Sequence, residues 1–176
     1  MRNEVRLVGV GGQGIVWAAT LVGSAASRQA GINASVSAKY GAEVRGGFSK
    51  ADIVISDELD WFPWAMGLDL LAVLSTESLS KSDLRLLKPD GVLLLDSSLK
   101  EIPAHKAMRV AAKDTSKALL GSDKYTNSVL VGYLAGSLGM PSLDDLREAI
   151  AEKAGRSPPE ANLKAVEAGF QLRASK

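Results

Sequence analysis

Short apolar runs broken by glycines and polar turns fill the first two thirds of the chain, and helical spacing takes over in the last third. Val5-Arg6-Leu7-Val8-Gly9-Val10 predicts a strand over 4–10. Ile15 to Ala30 is almost continuously apolar and rich in alanine, and Ile15, Ala18, Ala19, Val22 and Ala26 recur at helical spacing, which predicts a helix with that stripe against a sheet. Trp17 and Leu21 fall off the stripe and are candidates for an interface. Gly31 fits a residue just past the end of that helix. A second strand is expected over 34–38, so the strand–helix–strand span is about 35 residues, the size of a βαβ unit with its right-handed crossover.

Further strands are predicted over 49–56, 69–75, 92–96 and 108–113, the one over 92–96 entered through the turn Lys88-Pro89-Asp90-Gly91. None alternates cleanly between apolar and polar, as expected of strands covered on both faces in a mostly parallel sheet. The C-terminal third predicts three helices. The first runs over 127–138, and the second opens on the capping box Ser142-Leu143-Asp144-Asp145 with Leu143, Leu146 and Ile150 on one face. The third starts at Ser157-Pro158-Pro159-Glu160 and carries the stripe Leu163, Val166 and Phe170. The fold class is therefore α/β, Rossmann-like, with a mostly parallel sheet flanked by helices and a helical C-terminal third. No repeat or long linker divides residues 1–176, which are expected to form a single domain.

Composition narrows the chemistry. The chain has no cysteine and one histidine, His105, so disulfides, thiolate-held iron–sulfur clusters and cysteine-based zinc sites are excluded. A net charge of +1 provides no field to recruit nucleic acid or an anionic membrane. The chain enters its first strand without a charged-then-apolar leader, which makes a cytoplasmic location the expectation. Gly132-x-x-x-Gly136 sits in an apolar helix too short to span a bilayer, so close packing of soluble helices accounts for it.

Two strings stand out as candidate chemistry. Gly9-Val10-Gly11-Gly12-Gln13-Gly14 satisfies G-x-G-x-x-G between a strand and a helix, where free amides at the positive end of a helix dipole suit an anion. A dinucleotide site also needs an acid at the end of the second strand. That strand ends Val36-Ser37-Ala38-Lys39, with no carboxylate, which argues against an independent NAD-binding dehydrogenase. Glycines that merely permit a sharp turn remain the plainer alternative. Gln13 is expected to set a side-chain amide at the mouth of the turn. The second string, Tyr40-Gly41-Ala42-Glu43-Val44-Arg45-Gly46-Gly47, surrounds one acid and one arginine with glycines. Arg45, with the amides of Gly46 and Gly47, suits a phosphate or carboxylate, and a self-contained Glu43–Arg45 surface pair is the alternative. Trp61-Phe62-Pro63-Trp64 reads as a partner-binding anchor or as a plug over the core.

These two strings, followed by Ala51-Asp52-Ile53-Val54-Ile55-Ser56-Asp57 and by Pro63, Asp69, Gly91, Asp96, Asn127, Asn162 and Gly169, resemble the gamma subunit of 2-oxoacid:ferredoxin (acceptor) oxidoreductases over nearly the whole chain. The aromatic segment Asp60-Trp61-Phe62-Pro63-Trp64 departs from the shorter, less aromatic stretch common in the family. The resemblance implies a subunit of a complex that converts a 2-oxoacid, 2-oxoglutarate or pyruvate, to an acyl-CoA and passes the electrons to ferredoxin. It implies that thiamine diphosphate and the iron–sulfur clusters reside in partner subunits. The partners would be alpha, beta and a candidate delta subunit, and the isolated chain could pair with itself. Coenzyme A would be shared in the complex, with Gly11, Gly12, Gln13, Gly14, Tyr40, Glu43, Arg45, Gly46 and Gly47 as its candidate contacts and no catalytic residue in this chain. A purely structural subunit is the competing expectation.

Overall fold

The computed structural model describes residues 1–41, 46–59, 62–102, 105–153 and 159–174. Six strands, β1 (Arg2–Val10), β2 (Asn33–Tyr40), β3 (Phe48–Ser56), β4 (Leu68–Val73), β5 (Leu87–Asp96) and β6 (Ala107–Val110), form one sheet in the order β2-β3-β1-β4-β5-β6. β1, β4, β5 and β6 pair in parallel, whereas β3 runs antiparallel to both of its neighbours, β1 and β2. The mostly parallel sheet expected from the sequence is therefore present. The simple βαβ unit is not: β1 and β2 point the same way, but β3 lies between them. Local pattern could not reveal this, because the residues that pair (Val10 with Phe48, Val5 with Ile53) lie far apart in sequence.

Helix α1 (Ile15–Ala26) buries its predicted stripe, and it also buries Leu21 completely, which leaves that residue no interface role, while Trp17 is half-buried against the same core. α1 ends at Ala26, short of Ala30, capped by Ser27, and Gly31 serves a later left-handed turn at φ +77 rather than the helix end. β5 takes in the expected turn at residues 88–91. The irregularity falls in its pairing with β4 between Leu68 and Leu70, outside the stretch paired with β6, which is where a strand tolerates Pro89. β6 stops at Val110 and gives way to α3 (Ala112–Leu120), which the sixth predicted strand had partly absorbed. A short helix, α2 (Lys81–Arg85), was also not anticipated. α4 (Thr126–Leu138), α5 (Leu143–Glu152) and α6 (Pro159–Ala174) follow the predicted pattern, and Ser142 forms the expected capping box with Asp145; residues 157 and 158 lie outside those described. α4 and α6 cross at glycines. A Cβ on Gly132 would overlap the Val166 carbonyl oxygen, and one on Gly169 would overlap that of Val129, so the small-residue spacing serves helix packing. Among the described residues no helix is long and apolar enough to cross a membrane.

The helices gather on one face of the sheet. There Val5, Leu7, Ile53, Ile55, Leu70 and Leu94 meet α1, α4, α5 and α6 in a large aliphatic core. The other face has a smaller apolar cluster, Val8, Leu68, Leu71, Val73, Leu93 and Leu95, under α2 and the connecting segments. Beside it lies a buried ionic group. Arg6 donates to both oxygens of Asp52 (2.6 and 2.7 Å) and to Asp83 (3.0 Å), and Lys50 reaches Asp83 at 2.5 Å. Asp52 also accepts from the Ala65 amide, and Glu4 accepts from the amides of Met66 and Gly67. Burial opposes the charge of Asp83, but hydrogen bonds from Lys50 and Ser80 outweigh it and hold the carboxyl below its usual range. Glu4 behaves alike: burial raises it, and the Gly67, Arg2 and Met66 donors bring it down further.

Candidate functional site

β1 and β4 are neighbours whose chains leave in opposite directions. β1 continues through α1 on the helix-covered face towards β2, and β4 continues through α2 on the other face towards β5. At such a switch point the carboxyl ends of the strands frame a crevice that no connection fills. A cleft of about 320 Å³ opens there. Gly12 and Gln13 come to it from the end of β1, Leu74 from β4, Asp96 from β5, Lys113 from α3 and Asn127 from α4.

The glycine turn is shaped by its first helix. Gly14, at φ +69, is the N-cap of α1, and as a glycine it offers no side-chain acceptor to the first-turn amides. Its carbonyl accepts from Ala18 N at 2.9 Å and from Asn127 Nδ2 at 3.3 Å, and a Cβ at this position would run into that same amide. Gln13 lines the cleft with its side-chain amide engaged at both ends. Its Oε1 accepts from Val10 N (2.8 Å) and its Nε2 donates to the Leu74 carbonyl (3.2 Å), so the side chain ties the end of β1 to the end of β4. An amide with one donor and one acceptor side suits that bridge, and its capacity is thereby largely spent.

The two glycine strings meet. Gly11 N donates to the Gly47 carbonyl at 2.8 Å, and Gly46, at φ +75, lies alongside. Tyr40 ends β2, 63% exposed, and does not line the cleft. Glu43 and Arg45 fall outside the described residues. The aromatic segment is present in part. Trp64 is half-buried with the Lys39 ammonium 4.8 Å from its ring centre, Phe62 is exposed, and Trp61 is not among the described residues.

Of the cleft residues only Gly12 and Gln13 were expected as site groups; the polar ones that escaped are Asp96, Ser98, Lys113, Asp123, Lys124, Thr126 and Asn127. Asp96 is buried, accepting from Ser98 N and Oγ (3.0 and 2.5 Å) and from Lys113 N (2.9 Å), and so holds the start of α3 against the end of β5. Its signal was an acid closing an apolar strand. Lys113 had no such signal, because the strand predicted over 108–113 hid the helix start that places it. The topology also bears on nucleotide choice. A ribose-binding acid must stand at the carboxyl end of the strand next to β1, and on that side the neighbour is the beginning of antiparallel β3, Phe48 beside Val10.

The chain matches the family described as pyruvate ferredoxin/flavodoxin oxidoreductase over residues 4–172. It belongs to that family. The 2-oxoglutarate synthase subunit KorC of Methanothermobacter marburgensis is 32% identical over 181 residues, with 98% of this chain and 97% of the relative covered. The keto/oxoacid ferredoxin oxidoreductase gamma subunit of Geobacter sulfurreducens superposes with a TM-score of 0.83 at 32% identity, over 99% of this chain and 98% of that one. The 2-oxoglutarate:ferredoxin oxidoreductase of Magnetococcus marinus, solved with 2-oxoglutarate, coenzyme A and succinyl-CoA bound, shares the fold at a TM-score of 0.85 and 20% identity; this chain spans 31% of it. The resemblance to gamma subunits drawn from the glycine strings is borne out, and with it the assignment to a subunit of a 2-oxoacid:ferredoxin oxidoreductase.

Proposed function

We propose that this chain serves a cytoplasmic complex that oxidatively decarboxylates 2-oxoglutarate, and that it handles coenzyme A at the cleft beside its glycine turn. Full-length relatedness to a 2-oxoglutarate synthase subunit carries the substrate assignment. Coenzyme A supplies the thiol that takes the acyl group, and the residues at the cleft fit its phosphate-bearing end rather than its reacting end. Gly12 lines the cleft without a side chain, and Lys113 and Lys124 belong to the same lining. Thiamine diphosphate and the iron–sulfur clusters are assigned to alpha and beta partners, with delta a further candidate, and ferredoxin is reached through the complex. In this division the chain positions a co-substrate and contributes no catalytic residue.

Reconstitution tests the reading. The purified chain is expected to show no turnover, and addition of alpha and beta partners to restore 2-oxoglutarate- and coenzyme-A-dependent reduction of ferredoxin. Oxidation of a 2-oxoacid by the isolated chain would sink it, and a complex that turned over pyruvate but not 2-oxoglutarate would overturn the substrate assignment. From the sequence string at 40–47, Arg45→Ala is expected to raise the KM for coenzyme A in the complex while leaving that for the 2-oxoacid in place.

A further inference from the structure

Part of the cleft lining comes from chain distant in sequence from the glycine turn, the start of α3 and the turn leading into α4. It carries two ammonium groups, Lys113 and Lys124. Neither ammonium makes a hydrogen bond or ion pair among the described residues. This contrasts with Lys50 and Lys88, which are engaged by Asp83 and Asp69. Two carboxylates share the cleft. Asp96 is buried, and its oxygens are occupied by Ser98 and by the Lys113 amide, so it acts as a cap on α3. Asp123 is exposed at the rim, and only its backbone carbonyl is engaged, by Thr126 Oγ1 at 2.6 Å. In the same lining, Gly12 lies at φ +93 with open space where a side chain would be. The α1 amino end beyond it has no side-chain acceptor, so its dipole adds to the same field.

Two unengaged cations and bare backbone beside a helix amino end, brought into one cleft, suit a ligand with negative charge on adjacent groups. We infer that Lys113 and Lys124 grip the diphosphate of coenzyme A in the cleft that Gly12 lines, with Asp123 a repulsive charge at the rim. The assignment rests on the coenzyme A reading and adds to it the residues that hold the ligand. Ammonium groups act here as point charges that bridge phosphate oxygens, and they need no fixed fork geometry. Asp123 fits a site that must release its ligand at each turnover, since a rim carboxylate weakens the grip without blocking it.

Titration calorimetry on the reconstituted complex tests this, with coenzyme A and dephospho-coenzyme A as probes. The Lys113→Gln/Lys124→Gln variant is expected to raise the dissociation constant about tenfold. The factor should be the same for both probes, because both carry the diphosphate. Asp123→Asn is expected to move it the other way, by about twofold. The KM for 2-oxoglutarate should stay constant throughout. Unchanged binding of coenzyme A by the double lysine variant would overturn the lysine assignment, as would a loss confined to coenzyme A, which would mean that the lysines hold the 3′-phosphate. The underlying reading fails separately: Gly12→Asp adds a carboxylate to the cleft lining, at a left-handed backbone angle that strains any side chain but with open space around it, and full coenzyme A affinity in that variant, once circular dichroism shows it folded, would remove the ligand from the cleft altogether.

Discussion

One face of the sheet lies under α1, α3, α4, α5 and α6 and is aliphatic almost throughout, whereas the other buries Arg6, Asp52, Asp83 and Lys50 within a few ångströms of each other. The helical face is held by close packing and by glycines at the α4–α6 crossing, and it demands little of any single polar group. The second face has only short cover, α2 and the segments around residues 65–67 and 80, and these are tied down by directed bonds to carboxylates. Short segments bury too little apolar surface to fix themselves. Charges therefore do on one face what side-chain volume does on the other, and the two should fail differently.

The largest expected effect is on the ionic face. Arg6→Met leaves Asp52 and half of Asp83 without their buried partner, and breaking a buried pair from one side costs about 3–5 kcal/mol. Urea unfolding should show it as a lower midpoint. If the unfolding free energy fell by less than a tenth of that, the network would be incidental to stability. On the helical face, Gly169→Ala pushes a methyl into the Val129 carbonyl, and overpacking of this kind costs about 1–3 kcal/mol. That loss should not vary with pH between 4 and 8, since no titrating group takes part in the contact.

Acid should then separate the faces. Asp83 and Glu4 are held below their usual ranges in the folded chain. Their stabilisation is complete above the unfolded carboxyl values, near pH 4, and is lost as pH falls below them towards the folded values. The wild-type chain is expected to lose stability steeply below about pH 4. Asp83→Asn should start lower at pH 7 but fall with a shallower slope. Equal slopes from pH 5 to pH 2 in thermal unfolding would mean that the carboxylate contributes nothing specific.

The helical face was legible because its information is local: the stripe on α1, the capping box at Ser142 and the stripe on α6 each sit within one element. The ionic face was not. Arg6 alternates with apolar neighbours in β1, and Lys50 and Asp52 alternate in β3, which marks a shared face, but Asp83 reaches them only through the fold. The same holds for the cleft. The glycine turn was visible, and the antiparallel β3 that brings Gly47 onto Gly11 was not, since strand order depends on pairings more than thirty residues apart. Met108 to Lys113 is apolar enough to extend, so its sequence predicts strand, whereas in the fold Asp96 accepts from the Lys113 amide in the first turn of α3.

The smallest effect gives the sharpest comparison, because the same device occurs on both faces. Ser80 and Ser142 each accept from the third residue of the following helix, Asp83 and Asp145, and each aspartate returns a bond to the serine amide. In α5 that box stands at the surface and supports a helix already pinned by Leu146, Ala149 and Ile150, so Ser142→Ala should cost about 0.5–1 kcal/mol. In α2 the helix has only five residues, and its capping aspartate is the one that Lys50 and Arg6 share. Removing the Ser80 hydroxyl withdraws a donor from Asp83 and loosens the carboxylate that orients both cations, so Ser80→Ala should cost about 1–2 kcal/mol, at the upper end for a cap. The loss should shrink when Asp83 is already Asn, whereas Ser142→Ala should add to Asp83→Asn without coupling, the sites sharing no partner. A double-mutant cycle that found the two serines equally independent of Asp83 would reduce the ionic face to ordinary capping.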